Sequence, residues 1–167
     1  MLFRSSTGMP VVDAHDDFLR ARRAQIAGRA ARWVAGGRRR ARALRTLADS
    51  AGVSRGAARL EVIALKTIVG TLEPTTMFDA AFRPASELVR ARWERIALAH
   101  RRAVPLPPIT VLRGEDGYYV ADGRHRVSVA VALGQRDIDA WVTPVGTVSS
   151  SESPDRHPRS ARTGGTR

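Results

Sequence analysis

The residue types best suited to chemistry stand together in one short stretch, Asp-Gly-Arg-His-Arg at 122–126. Arginine binds phosphate through paired hydrogen bonds, and histidine either donates a further hydrogen bond or transfers a proton. The residues that follow, Val-Ser-Val-Ala-Val-Ala-Leu, are mostly small and apolar. A polar stretch that passes at once into an apolar one predicts a surface turn that leads into a buried helix.

This turn has the features of an anion-binding site. A strand, Tyr-Tyr-Val, is predicted before it, and Gly123 permits both a tight turn and the close approach of a ligand to the backbone. The first amides of a helix lack partners within the helix and attract anions, whereas cations are disfavoured there. Arg124, His125 and Arg126 at this end therefore indicate a bound phosphate. The alternative is that Asp122 pairs with one arginine while the other basic groups face water.

The residues of the turn have more than one interpretation each. We predict Arg126 to be a phosphate ligand, with a salt bridge to Asp122 as the alternative. His125 is a candidate phosphate ligand or general acid or base, and a structural hydrogen bond is its alternative. Asp122 either orients Arg126 or holds Mg²⁺ beside a nucleotide, although one carboxylate predicts no metal site by itself. If phosphoryl transfer takes place, Asp79 or Asp122 is the candidate base.

Several elements must position the turn. Ser86 is predicted to cap a helix over 86–102 whose apolar face includes Trp93. The segments Ile-Thr-Val-Leu and Tyr-Tyr-Val flank Arg-Gly-Glu-Asp-Gly and predict a β-hairpin. Gly134 is predicted to end the helix that follows the turn, and a short strand comes after it. A further strand is predicted upstream, over 63–69.

The chain carries a net charge of +12, concentrated towards its N-terminus. Residues 1–60 contain 13 arginines against four acids, whereas 61–146 contain 11 basic residues against 10 acids. A basic arm is typical of contact with DNA or another polyanion, and we place that contact over 16–45. Lys66 is the only lysine, so genome base composition is an alternative origin of the charge.

The basic arm is predicted to be helical over 16–48, with an interruption at 36–37, where two glycines stand. Leu19, Ile26 and Trp33 recur at intervals of seven and predict a thin apolar stripe. A helix of this kind lies on its own domain, on a partner or on an anionic surface.

A second interpretation concerns residues 47–59, which resemble the turn of a helix-turn-helix. Small residues and a glycine precede Ser54, a candidate cap for a second helix. The strand pattern that follows leaves this recognition helix very short, so DNA reading here is the weaker alternative.

Composition bounds the class of protein. The absence of cysteine excludes disulfides, thiolate zinc sites and a cysteine nucleophile. No apolar run approaches membrane-spanning length and no secretory pattern begins the chain, so we expect a cytoplasmic protein. The predicted organisation is a basic arm over 1–60, a folded domain over 61–146 and a disordered tail over 147–167.

The segment Leu-Pro-Pro-Ile-Thr-Val-Leu and the later Gly-Tyr-Tyr-Val-Ala-Asp-Gly-Arg-His-Arg-Val-Ser-Val-Ala resemble the core of the ParB/sulfiredoxin-like domain family. The small bacterial ParB-like proteins with an Asp-Gly-x-His-Arg-Val-Ser-Val-Ala motif are the most similar group. The upstream Ile-Val-Gly-Thr-Leu-Glu-Pro segment and the tryptophan-bearing helix match that group too. The resemblance covers about 61–146.

The resemblance implies roles for the residues of the turn. ParB proteins carry Gly-Glu-Arg-Arg here and use CTP, and sulfiredoxin carries Gly-Cys-His-Arg and uses ATP. This chain has Gly123, Arg124, His125 and Arg126, which the resemblance assigns, together with Arg83, to a nucleoside triphosphate, with or without Mg²⁺. The missing cysteine excludes sulfinic-acid repair, and the missing glutamate weakens the case for CTP hydrolysis.

We therefore predict an α/β (α+β) domain of ParB/sulfiredoxin-like fold, with a small mixed sheet and packed helices after an Arg-rich helical arm. Its predicted function is nucleotide binding in a DNA-associated, chromosome-partitioning-like protein without the site-reading helix-turn-helix domain of ParB. A phosphotransferase or nucleotide hydrolase on the same fold is one alternative. Non-specific DNA binding through the basic arm is another alternative. The sequence leaves open whether the chain forms a homodimer.

Overall fold

The computed structural model describes residues 7–34, 45–46 and 54–146. The predicted disordered tail lies outside these residues. Three helices and a mixed sheet make up the described part. In chain order, the elements are α1 (Pro10–Val34), β1 (Arg45–Thr46), β2 (Ser54–Arg55), β3 (Arg59–Ala64), β4 (Ile68–Thr71), α2 (Arg90–Arg101), β5 (Ile109–Arg113), β6 (Tyr118–Asp122), α3 (Arg124–Ala132) and β7 (Asp137–Gly146).

The sheet is mixed in direction. Its order is β1-β4-β6-β5-β7-β2, and β3 also pairs with β7. The contacts of β4 with β6 and of β5 with β7 are parallel, whereas β5 with β6 and β3 with β7 are antiparallel. The predicted hairpin is confirmed, and Gly114 N donates to Gly117 O across its turn at 2.9 Å. The prediction of a mixed α+β domain is therefore confirmed.

The core lies between the helices and the sheet, and α2 packs against α3 beside it. Trp93 of α2 is fully buried, and its indole Nε1 donates to the buried Ser128 Oγ of α3 at 2.9 Å. Phe18 of α1, also fully buried, meets Trp93 edge to face, with ring centroids 5.5 Å apart. A hydrogen bond between two buried side chains fixes the approach of α3 to α2, and with it the start of α3.

The helix ends follow the sequence signals. Ser86 accepts a hydrogen bond from Leu88 N and caps the short 3-10 turn Glu87–Val89 that leads into α2, as predicted. Gly134 has a positive φ of 68° just after α3 and ends that helix, which is also as predicted.

The apolar stripe predicted for the arm is correct at Leu19, which packs against the core, and wrong at Ile26. α1 begins at Pro10, and Ile26 is 53% exposed. The buried side is instead Ala14, Phe18 and Ala21, together with three polar residues, Asp13, Asp17 and Gln25. α1 thus lies on the folded domain through small and aromatic residues at helical spacing, and Trp33 is outside the described side chains.

Three other predictions need correction. The strand expected over 63–69 is interrupted by a 3-10 turn at Leu65–Thr67, which separates β3 from β4. Ser54 lies in a strand that pairs with β7, so it caps no second helix. Arg45–Thr46 are also in a strand rather than in the predicted helix, because they pair with β4. The residues between these two short strands lie outside the described part of the chain.

Candidate anion-binding site

Gly123 makes the turn from β6 into α3. Its φ of 102° and ψ of 16° lie in the left-handed region, which strains any residue with a side chain. A Cβ at this position would stand 2.5 Å from Ile109 Cγ2. The predicted tight strand-to-helix turn therefore requires glycine for two separate reasons, backbone conformation and space.

No side chain caps the N-terminus of α3. Val127 N donates back to Gly123 O at 3.0 Å and closes the first helical turn. The amides of the three preceding residues are the ones that a helix leaves without internal partners. The start of α3 therefore presents backbone donors and the positive end of the helix dipole to whatever lies in front of it.

Arg124 and His125 both contact residues of the loop that follows β4. The His125 ring meets Phe78 edge to face with centroids 5.2 Å apart. Arg124 is partly exposed, and its guanidinium is 3.7 Å from the exposed carboxylate of Glu73. Arg92, exposed on α2, lies close enough for its charge to act on the His125 ring.

His125 is kept uncharged by its surroundings. Burial lowers its pKa, and the positive charges of Arg92 and Arg124 lower it further, while Asp122 acts in the opposite direction. The pKa of His125 is thereby lowered from 6.5 to about 4. At neutral pH the ring is a neutral imidazole under the charges of two arginines, and an anion bound there would offset the repulsion between these charges.

Arg126 points to the other side of the turn and is bonded within the chain. Its guanidinium donates to Pro107 O, to Pro108 O at 2.7 Å and to Asp122 Oδ2 at 2.6 Å. Its side chain is 11% exposed, whereas that of Asp122 is 67% exposed. The salt bridge to Asp122 that the sequence left as an alternative is present, and Arg126 joins the turn to the loop before β5.

Arg83 and Asp79 bind each other and α1. Arg83 Nε donates to Asp79 Oδ2 at 2.9 Å, and its Nη1 donates to Ala24 O of α1 at 2.9 Å. Asp79 Oδ1 also accepts from the amides of Ala81 and Arg83. None of the described hydrogen bonds or ion pairs of Arg83 reaches 122–126. Arg83 is therefore bound to Asp79 and α1, apart from the turn with which the sequence grouped it.

A groove of about 440 Å³ lies on the Arg126 side of the turn. Its lining is largely apolar and includes Leu106 and Val129, but Asp137 and Asp139 line it too. Two exposed acids repel a phosphate, whereas the charges of Arg92 and Arg124 act on His125, opposed by Asp122 and by the exposed Glu73 beside Arg124. The two arginines therefore favour the His125 side of the turn for an anion.

Sequence reasoning missed Arg92. It precedes Trp93 in a helix rich in arginine, and nothing in its local sequence separates it from Arg90 or Arg95. Its position depends on the packing of α2 against α3 through the Trp93 and Ser128 hydrogen bond. The role of Arg92 therefore becomes apparent only once α2 and α3 are placed.

No family model and no curated protein matches the chain. Among solved structures, sulfiredoxin from Arabidopsis thaliana is similar, with a TM-score of 0.33 and 19% sequence identity, over 50% of this chain and 83% of that one. Among the described residues, no helix has the length and apolar character needed to cross a bilayer.

Proposed function

We propose that this chain binds the phosphate groups of a nucleoside triphosphate at the start of α3. The observation that carries the proposal is the uncapped N-terminus of α3, where the charges of Arg124 and Arg92 both act on a neutral His125. In this proposal the first amides of α3 and the two guanidinium groups contact phosphate oxygens. His125 donates a hydrogen bond from one ring nitrogen.

Binding is supported better than phosphoryl transfer. A transfer reaction needs a base close to the acceptor. Asp122 is held by Arg126 and Asp79 by Arg83, so both candidate carboxylates already have cationic partners. Among the described residues, no three metal-ligand side chains come together, so Mg²⁺ would reach this site with the nucleotide, held mainly by its phosphates.

Calorimetric titration of the full chain with CTP, ATP, GTP and inorganic triphosphate, each with and without Mg²⁺, tests this proposal. Arg124→Ala and Arg92→Ala should each weaken binding about tenfold or more, because each removes a charge-assisted hydrogen bond. Inorganic triphosphate separates recognition of phosphate from recognition of the base. Arg136→Ala, an exposed arginine beyond the opposite end of α3, is the matched control and should bind as the unaltered chain does.

The absence of binding heat with every nucleotide and with triphosphate would contradict the proposal. Equal losses for Arg136→Ala and Arg124→Ala would also contradict it, because they would indicate general charge attraction instead of a site.

A second candidate function, DNA binding through α1, rests on a different observation. Arg23 and Arg29 are exposed on α1, and neither has an ion-pair partner among the described residues. Removal of the whole arm would also remove Phe18 from the core, so point reversals are the better test. If this candidate is correct, the double variant Arg23→Glu with Arg29→Glu should weaken duplex binding strongly and make the remaining binding less dependent on salt. Duplex binding that is unchanged in this variant would reject it.

A further inference from the structure

The free edge of the sheet carries an unusual pair of exposed apolar residues. Leu60 and Val62 of β3 are 57% and 71% exposed, and Trp141, the neighbour of Leu60 on β7, is 44% exposed. Within residues 7–34, 45–46 and 54–146, β3 pairs with β7 alone. Exposed apolar edge strands are templates for pairing with another strand, and proteins usually block them.

The hydrogen-bond pattern between β3 and β7 shows which amides and carbonyls of β3 point away from β7. Leu65 N donates to Arg136 O at 2.8 Å, which continues the register in which Ile63 faces Ile138. Residues in an antiparallel pair alternate between bonding the partner strand and pointing away from it. The amides and carbonyls of Leu60 and Val62 therefore point away from β7, towards the open edge.

We propose that two copies of this chain associate through β3, which pairs antiparallel with itself and continues the sheet across a two-fold axis. Such an axis places the same strand on both sides of the contact, as in most homodimers. The pairing joins the outward amide and carbonyl of Leu60 with those of Leu60 in the second copy. Those of Val62 then face Ala58 of the second copy. It also brings both copies of Leu60 together beside the two Trp141 side chains.

Charge selects one register for this pairing. If Leu60 faces Leu60 of the second copy, each Arg59 lies opposite Glu61 of the other chain, and the contact holds two opposite-charge pairs. A shift of one strand by two residues would also keep the outward amides paired. It would place Glu61 opposite Glu61 of the second copy, and these like charges repel each other. The β3 sequence is therefore self-complementary in charge when the strand pairs around Leu60.

The proposal is tested by sedimentation velocity on the full chain across a range of protein concentrations. Pairing along one strand buries little area, which is typical of transient association below about 1,200 Å². We expect the mass to rise with concentration from that of the 18.2 kDa chain towards twice that value. A single mass corresponding to the monomer at all concentrations would overturn the proposal.

Charge reversal tests the register. Arg59→Glu alone and Glu61→Arg alone should each weaken dimerisation about tenfold or more, because each places like charges opposite each other at two positions. The double variant restores both pairs and should dimerise within about threefold of the unaltered chain, given that cross-strand pairs contribute about equally in either orientation. Dimerisation that neither single reversal weakens would show that another surface holds the copies together.

Two controls separate dimerisation from damage to the fold. Glu61 is paired with Arg113 within the chain, so Arg113→Ala removes that pair without changing the proposed contact and should leave dimerisation intact. Val62→Pro removes an outward donor that β7 does not use, whereas Val62→Ala keeps it. Loss of the dimer with proline but not with alanine is expected, and equal effects of the two would contradict strand pairing. Far-ultraviolet circular dichroism of each variant confirms that it is folded.

Discussion

At the residue scale, the charge of His125 links the site to the stability of the fold. Its ring is half-buried against Phe78, and burial together with the charges of Arg92 and Arg124 lowers its pKa to about 4. Between that value and its ordinary pKa of 6.5, the unfolded chain binds a proton here that the folded chain does not. The free energy of unfolding therefore decreases as the pH falls through this interval, and the residue adds no such dependence above about 6.5.

We accordingly expect His125→Gln to flatten the pH dependence of stability between about pH 6.5 and about pH 4. Urea unfolding of the unaltered chain and the variant at several pH values measures this directly. His100→Gln is the control, because His100 is exposed at the end of α2. A pH dependence that is the same in His125→Gln and in the unaltered chain would contradict the buried, neutral state of this ring.

The residue scale also shows how far the site could be predicted. The turn at Gly123 and the salt bridge of Asp122 with Arg126 were both available from sequence, because an i, i+4 pair and a positive-φ glycine are local features. The sequence does not show which arginine of the turn remains accessible to a ligand. Arg126 is occupied by Pro107 and Pro108, which stand 18 or more residues away, and only the fold brings them together.

At the element scale, α1 is held on α2 by one buried network of charges. Arg101 of α2 donates to Asp17 Oδ2 at 2.7 Å and to Asp13 Oδ2 at 3.3 Å. Both carboxylates are almost completely buried, at 3% and 4% exposure, and Arg101 is itself 15% exposed. Buried charges of this kind are tolerated only while their partners stay in place.

Arg101→Ala should therefore lower the free energy of unfolding by about 3 kcal/mol, since it leaves two buried carboxylates without this partner. Arg20 still pairs with Asp17, which keeps the loss near the lower end of the usual range. Denaturant unfolding followed by tryptophan fluorescence measures it. Arg102→Ala, at the exposed neighbouring position, should change stability by less than about 0.5 kcal/mol. Similar losses for the two variants would contradict the account of this network.

The same network explains why the stripe of α1 was misread. Spacing by seven selected the large apolar residues Leu19 and Ile26, but the buried side of the helix also carries aspartates. Aspartates are normally assigned to the exposed side of a helix, because nothing in the local sequence shows that Arg101 will face them. A stripe that mixes alanine, phenylalanine and paired acids can be recognised only after the partner helix is placed.

At the scale of the whole molecule, the mixed sheet and the helix after the turn were predictable, because alternation and turn residues are local signals. The edge position of β3 was not, because strand order depends on which strands lie beside β7. The separation of acidic from basic side chains around the turn also becomes apparent only when the whole fold is known. The groove on the Arg126 side of the turn contains the acids Asp137 and Asp139, whereas the charges of Arg92 and Arg124 act on His125.

The most direct test of the central claim is a nuclear magnetic resonance titration of the isotopically labelled full chain with CTP and with ATP, followed through the backbone amide shifts. The account predicts that the largest shifts fall on the amides of Arg124, His125 and Arg126, with saturable dependence on nucleotide concentration. Shifts that are absent there, or that fall mainly on α1 around Arg23 and Arg29, would contradict a phosphate site at the start of α3.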